Sequence, residues 1–156
     1  MSQWIKWTAP AAAVVSISSS AHAVQYLSIT EAQKLAFPSA QFVETQPGRV
    51  WKAEAGGKTI GLFVFDRVIG KHLFIDYAVS LDAAGKVHRV DILQYRESYG
   101  GEVRQASWLA QFVGKTAASP LQVDSDIRNI SGATLSSHHV TEGVKKILGA
   151  YGHGVR

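Results

Sequence analysis

A short run near the C-terminus concentrates hydroxyl groups and small residues. Residues 131–137 read SGATLSS, and they follow an extended stretch and precede a helical pattern. Gly132 and Ala133 let the backbone approach a ligand closely, and the free N–H groups at a helix N-terminus attract anions. The run therefore predicts a phosphate site beside the Thr134 hydroxyl.

A second segment, residues 96–102, joins a strand to a helical pattern and carries Glu97, Tyr99, Gly100 and Gly101. Paired glycines at such a junction allow close backbone approach to a ligand. The alternative is a plain loop with a helix cap.

A third segment, residues 111–116, contains Gly114 and Lys115 at the end of a helical pattern. Lys115 and Arg128 can add charge-assisted contacts to a phosphate. The alternative is that each is a solvated surface cation.

Two other kinds of site fit the sequence less well. His138 and His139 are adjacent, and adjacent side chains on a helix diverge, so they do not readily share one metal ion. A hydrolase triad of Ser131 or Ser137 with a histidine and Asp126 lacks the Gly-x-Ser-x-Gly turn of such enzymes.

The elements that must position these residues form one antiparallel meander followed by helices. Tight turns at Gly56-Gly57 and at residues 82–85 separate runs with strand patterns, over residues 50–55, 59–65, 72–81 and 86–95. Helical patterns cover residues 31–35, which Ser28 or Thr30 would cap, residues 103–113, and a C-terminal segment that Ser136 or Ser137 would cap. Residues 120–123 suggest an edge strand or an extended connection. We expect a single α+β domain with helices packed on an antiparallel β-meander sheet.

Composition excludes several classes of protein. With 156 residues the chain has room for one domain, and its net charge of +4 is scattered, so no nucleic-acid surface is expected. The chain has no cysteine, which rules out disulfides, cysteine-ligated iron–sulfur clusters and thiolate zinc sites. Any electron transfer therefore requires another kind of cofactor.

The N-terminus has the pattern of a secretory signal. Lys6 precedes an apolar run over residues 8–17, and Ala21 and Ala23 offer small residues at a cleavage site. We expect residues 1–23 to be a signal peptide, residues 24–156 to be the mature domain, and the location to be periplasmic or otherwise extracytoplasmic. An uncleaved anchor is the alternative.

Three motifs together resemble the FMN-binding domain family, over roughly residues 73–148. They are ESYGGE at 97–102, FVGK at 112–115 and SGATLSS at 131–137. The family includes the covalently flavinylated subunits of the sodium-pumping quinone reductase and of the Rnf-type electron-transport complex.

The resemblance implies that the phosphate of FMN is esterified to Thr134 by a separate flavin transferase, which uses FAD as donor and a magnesium ion. It also brings Glu97, Gly100 and Gly101 near the flavin. The expected cofactor-binding residues are Thr134, Ser131, Gly132, Ala133, Leu135, Ser136, Ser137, Glu97, Tyr99, Gly100, Gly101 and Lys115. Many relatives have aspartate three positions before the serine, where this chain has Arg128.

The resemblance also suggests which residues pack on the flavin ring and what kind of protein exchanges electrons with the flavin. Tyr95, Tyr99 and Trp108 are candidates to pack on the flavin ring, although core packing is the stronger expectation for Trp108. The expected function is an exported electron carrier that works with a membrane-bound redox protein rather than as a stand-alone enzyme. A secreted binding module with a non-covalent ligand is the alternative.

Overall fold

Six antiparallel strands form one sheet in the computed structural model, which describes residues 24–155. The spatial order is β1-β6-β5-β4-β3-β2, so β2 to β6 form a meander and β1 returns to the edge beside β6. The strands are β1 (Val24–Gln25), β2 (Gln41–Gln46), β3 (Val50–Ala55), β4 (Lys58–Ile69), β5 (Phe74–Asp82) and β6 (Val87–Tyr95). The α-helices are α1 (Ile29–Ala36), α2 (Ala106–Leu109) and α3 (Thr134–Tyr151).

Local turn chemistry sets the meander. Gly56 and Gly57 both have positive φ, at 58° and 72°, as a two-residue hairpin turn requires. In the next hairpin the Asp82 carboxylate accepts hydrogen bonds from the N–H groups of Ala84 and Lys86, both at 2.9 Å. The predicted antiparallel meander and the α+β class are therefore confirmed.

A capping box fixes the start of α1. Ser28 Oγ accepts a hydrogen bond from Glu31 N at 3.2 Å, and the Glu31 carboxylate accepts one from Ser28 N at 2.8 Å. These reciprocal bonds satisfy two backbone donors that the helix itself leaves unpaired. Of the two caps that the sequence allowed, Ser28 is the one used.

Helices cover both faces of the sheet. Tyr77 and Ala78 are consecutive on β5, so they point to opposite faces, and each belongs to a different buried cluster. The larger cluster packs β5 and β6 against α3 through Val140, Val144, Ile147 and Leu148. The smaller one packs α1 through Ala32 and Ala36 against Phe63 and Leu93.

Two local predictions were wrong. Residues 103–113 form two 3₁₀ turns and the short α2, because Gln105 is extended at ψ 127°. The last helix begins at Thr134 after Ala133, which makes no side-chain cap, so neither Ser136 nor Ser137 caps it. Of the two alternatives for residues 120–123, the edge strand does not form within the part of the chain described, where the single bridge Val123–Ile127 occurs.

No helix within residues 24–155 combines the length and the apolar character needed to cross a membrane. The predicted signal segment, residues 1–23, lies outside the described part of the chain.

Candidate functional site

Thr134 is exposed at the first position of α3. Gly132, with φ at 84°, turns the chain into the helix, and Ala133 N donates to Ile130 O at 2.9 Å. Since Ala133 supplies no side-chain acceptor, the first N–H groups of α3 have no cap and can donate to a ligand. The Thr134 hydroxyl has the Asn129 amide as a neighbour, at 3.5 Å between Nδ2 and Oγ1.

The glycine loop after β6 packs directly on this helix N-terminus. The Tyr95 hydroxyl donates to the backbone carbonyl of Tyr99 and lies 3.0 Å from Ser136 Oγ. Burial raises the pKa of Tyr95, which keeps the hydroxyl protonated as a donor. Tyr95 therefore ties the loop to α3, and its buried ring is part of the core rather than free to stack on a ligand.

The two segments enclose adjoining depressions. One, of about 260 Å³, surrounds Thr134. The other, of about 390 Å³, shares Tyr99, Gly100 and Gly132 with the first and extends to Gly101 and Arg104. Their volumes are close to the lower end of the range for small-molecule sites, roughly 300–1,000 Å³. Tyr99 is 87% exposed between them, so its ring is accessible to a ligand.

Glu97 holds a turn at the same end of the sheet. Its Oε1 accepts hydrogen bonds from the N–H of His72 and, at 2.7 Å, from the N–H of Leu73. Burial alone would raise the pKa of Glu97, but these backbone donors outweigh it and lower the pKa. The turn that Glu97 fixes, between β4 and β5, carries Lys71 to the edge of the depression around Thr134.

The hydroxyls and neighbours of the 131–137 run lie in different environments. Ser131 and Leu135 are exposed, as Thr134 is. Ser136 is buried and engaged with Tyr95. Ser137 is fully buried, and its Oγ has no hydrogen-bond partner within residues 24–155. Of the hydroxyl groups in this run, that of Thr134 is therefore the one that is exposed and belongs to a residue lining the depression.

Lys115 lies elsewhere. Its carbonyl accepts a hydrogen bond from Val87 N at 2.9 Å, at the start of β6, whereas the Thr134 depression adjoins the end of that strand near Tyr95. Eight residues of strand separate these ends, or roughly 25 Å. Lys115 Nζ pairs with Asp126 at 2.8 Å, so the structure gives it a partner other than the predicted phosphate.

The Lys115–Asp126 pair predicts an acid-sensitive part of the fold. Burial alone would raise the pKa of Asp126, but hydrogen bonds from Lys115 and from the N–H groups of Gln122 and Leu121 outweigh it, so the pKa falls from 3.8 to about 2. A lowered folded pKa contributes stability above the unfolded value and loses it as the pH falls through the folded value. We expect Asp126→Asn to lower the Tm near neutral pH by roughly 2–5 °C.

The difference in Tm between wild type and Asp126→Asn should shrink as the pH falls from about 4 to about 2, measured by circular dichroism. Asp124→Asn, two residues away and exposed, is the matched control. A difference that stays constant over this range would contradict the assignment.

The remaining sequence candidates serve the surrounding structure. Trp108 is buried against Phe112, with ring centroids 5.1 Å apart, which confirms core packing, and its Nε1 donates to Arg128 O at 2.7 Å. His139 Nδ1 is 3.0 Å from Gly70 O, while His138 lies beside residues 121–123. Within the described residues no group of three or more potential metal ligands occurs.

A larger depression, of about 530 Å³, lies between α1 and α2. It contains the Arg89–Asp91 ion pair and mostly apolar side chains, and it reaches the site only through Arg104. Because none of its lining residues is a glycine and the SGAT run lies outside it, we place the candidate site at Thr134.

Sequence reasoning missed two side chains at this site, Lys71 and Asn129. Lys71 arrives through the β4–β5 turn, and only the register that pairs Ile75 with Tyr95 brings this turn to the same end of the sheet. In the local sequence, the only features that could have identified Lys71 as a site residue are the adjacent Gly70 and its place in a turn between two strands. Asn129 directly follows Arg128, and the sequence alone indicated no role for Asn129.

Comparison with known proteins identifies the family of the chain. A search among curated proteins found no match. A sequence profile of the FMN-binding domain matches residues 70–149, which is more than half of the chain. The matched region includes the turn with Lys71, the loop with Glu97 and Gly100, and α3 as far as Gly149. The chain therefore belongs to the FMN-binding domain family.

Proposed function

We propose that the protein carries FMN esterified to the Thr134 hydroxyl and acts as an exported electron carrier. The observation that carries this proposal is the position of Thr134. Its hydroxyl is exposed at the uncapped N-terminus of α3, within the SGAT run of a chain that belongs to an FMN-binding family.

The residues around Thr134 fit a phosphate with an attached ring system. The first turn of α3 offers backbone N–H groups and the positive end of the helix dipole. A Cβ added to Gly132 would meet nothing within 4 Å, so the backbone there faces open space on the ligand side. Next to Thr134, the buried Asn129 Oδ1 has no partner within the described residues. Exposed Tyr99 offers an aromatic face beside the same depression.

We propose that an external enzyme makes the bond, because within residues 24–155 no basic group is hydrogen-bonded to the Thr134 hydroxyl. The neighbour of Thr134 Oγ1 is the Asn129 amide, which does not accept a proton from an alcohol. In the proposed reaction Oγ1 attacks the FMN phosphorus of FAD, the pyrophosphate bond breaks, and AMP leaves with the bonding electrons. A flavin transferase with magnesium supplies the base and takes the hydroxyl proton.

The chain's own residues hold and expose the cofactor. Bound FMN supplies electron transfer in one- and two-electron steps. Thr134 fixes its position covalently, and the loop held by Tyr95 and Gly100 forms one wall of the site. Because the neighbouring depressions are open at Tyr99, a partner can approach closely. We propose a membrane-bound redox protein as this partner, and export through residues 1–23 as in a secretory signal.

A binding module with a non-covalent ligand would use the same depressions without the ester. Co-expression with a flavin transferase separates the two functions. We expect yellow fluorescence that stays with the denatured chain on a gel, and a flavin adduct on the tryptic peptide of residues 129–145, which contains Thr134. A chain of unmodified mass, or an adduct on another peptide, would overturn the proposal. Unmodified mass with reversible ligand binding would favour the binding module.

A further inference from the structure

Lys71 is a cation at the site that has no other assigned role. It is exposed on the turn between β4 and β5 and lines the depression that contains Thr134 and the first turn of α3. Within residues 24–155 no carboxylate forms an ion pair with its ammonium group. Its charge is therefore available to a ligand.

Two elements fix the turn that carries Lys71. From the loop after β6, Glu97 accepts hydrogen bonds from the N–H groups of His72 and Leu73. From α3, His139 Nδ1 contacts the carbonyls of Ile69 and Gly70. The contact with Glu97 is close, since a Cβ on Gly70 would lie 3.0 Å from Glu97 Cγ. An exposed turn held from both sides presents its side chain at a defined place.

Other cations on neighbouring elements have recorded contacts, including Arg128, whose Nε donates to Gln111 Oε1 at 3.3 Å. Arg96 pairs with Asp76 at 2.7 Å. The Arg104 guanidinium stacks over the Tyr26 ring, 4.8 Å from its centroid. Lys115 pairs with Asp126 at the other end of β6. Unlike these four residues, Lys71 lines the depression at the start of α3, and it has no ion pair within residues 24–155.

We propose that Lys71 pairs with the phosphate of the FMN on Thr134, and that Glu97 is a positioning residue that holds the Lys71 turn against α3. This inference rests on the proposed function. A phosphodiester keeps one negative charge, which the helix N-terminus and an ammonium group neutralise together. Glu97 acts through the backbone and does not touch the phosphate.

A thermodynamic cycle tests the role of Lys71. Wild type and Lys71→Gln are each prepared with and without covalent flavin, and the four Tm values are measured. We expect Lys71→Gln to lower the Tm of the flavinylated protein by roughly 2–4 °C and that of the unmodified protein by less than about 1 °C. The flavin-specific part should shrink between about 0.05 M and 0.5 M salt, because the pair is exposed.

Two variants control for charge and chemistry. Lys58→Gln removes the same charge at the opposite end of β4 and should shift both forms equally. Lys71→Arg keeps the cation and should restore most of the flavin-specific stability. Equal shifts of both forms in Lys71→Gln would overturn the role of Lys71.

The role of Glu97 is tested in the same cycle. In a Glu97→Ala background, Lys71→Gln should no longer change the flavin-dependent stability, because the turn is no longer held. A purely structural Glu97 would lower the Tm but leave that coupling intact, which would overturn its positioning role. A wild-type chain that acquires no covalent flavin would refute the proposed function and this inference together. A flavinylated chain without the coupling would refute the inference alone.

Discussion

Replacing Thr134 with alanine is expected to leave the chain folded and to remove all flavin that resists denaturation. The side chain is exposed, it caps no N–H group of the helix, and its recorded hydrogen-bond neighbour is the Asn129 amide at the long distance of 3.5 Å. Alanine is a good helix former at an exposed position, so the Tm should change by no more than about 2–3 °C. Loss of the hydroxyl removes the only atom of this side chain that can form the ester.

Two substitutions sharpen this result. Thr134→Ser keeps a hydroxyl at the same position and should retain covalent flavin in part. Ser131→Ala removes an exposed hydroxyl from the preceding turn and should leave the adduct on the peptide of residues 129–145. Intact mass after denaturation, with the flavin absorbance of the same sample, measures all three variants. Undiminished flavin on Thr134→Ala would show that another residue carries the ester.

The proposed ester bond is also relevant to the proposed extracytoplasmic location. A chain outside the cytoplasm cannot refill an empty site from the cytoplasmic pool of flavin, whereas an ester keeps the cofactor in place. The open depressions at Tyr99 agree with a protein that exchanges electrons with a partner instead of closing over a substrate.

The parts of the fold that depend on residues close together in the sequence could be predicted from the sequence. The hairpin at Gly56-Gly57 requires positive φ at both residues, and glycine is the residue type that accepts it. The start of α1 depends on Ser28 and Glu31, three positions apart. The edge strands β1 and β2 were not predicted, because β1 has only two residues and the mostly exposed β2 has little apolar alternation to identify it.

The broken helix after β6 shows what local patterns cannot provide. Val103, Leu109 and Phe112 have nearly helical spacing and are all buried, but Gln105 between them is extended. Glutamine has good intrinsic helix propensity, so nothing in the local sequence marks this break. Packing of the short turns against β6 overrides the propensity.

The candidate site likewise contains residues that a single sequence segment identifies and residues that only the folded sheet brings together. Its centre is a continuous run with Thr134 at a helix start, so the sequence was sufficient to identify it. The glycine loop was also found, although the contact of Gly100 with Ser136 depends on the fold. Lys71 reaches the site through strand register, and Lys115, adjacent to a glycine in the sequence, is carried to the other end of β6. Contacts set by register are not encoded in any single segment.

Gly100→Ala is expected to lower the Tm by roughly 6–15 °C and to reduce flavinylation well below that temperature. Gly100 has a φ of 88°, which costs an L-residue about 1–2 kcal/mol. An added Cβ would also lie 2.6 Å from the Tyr95 hydroxyl and 3.0 Å from Ser136 Oγ. Such overpacking costs about 1–3 kcal/mol. Because both contacted groups join the loop to α3, relief of the clash must move the loop away from Thr134.

Substitutions at two other glycines separate the contribution of backbone strain to the loss of stability from that of the steric clash. Gly101→Ala adds a Cβ no closer than 3.7 Å to any atom, without positive φ, and should be nearly neutral. Gly48→Ala lies in the β2–β3 turn with φ at 65° and nothing within 4 Å, so it carries the backbone strain without the clash. It should lower the Tm by about 3–6 °C and leave flavinylation unchanged. If Gly100→Ala matched Gly48→Ala in both Tm and flavin content, contact between the loop and α3 would not hold the site, since backbone strain alone would then account for the loss.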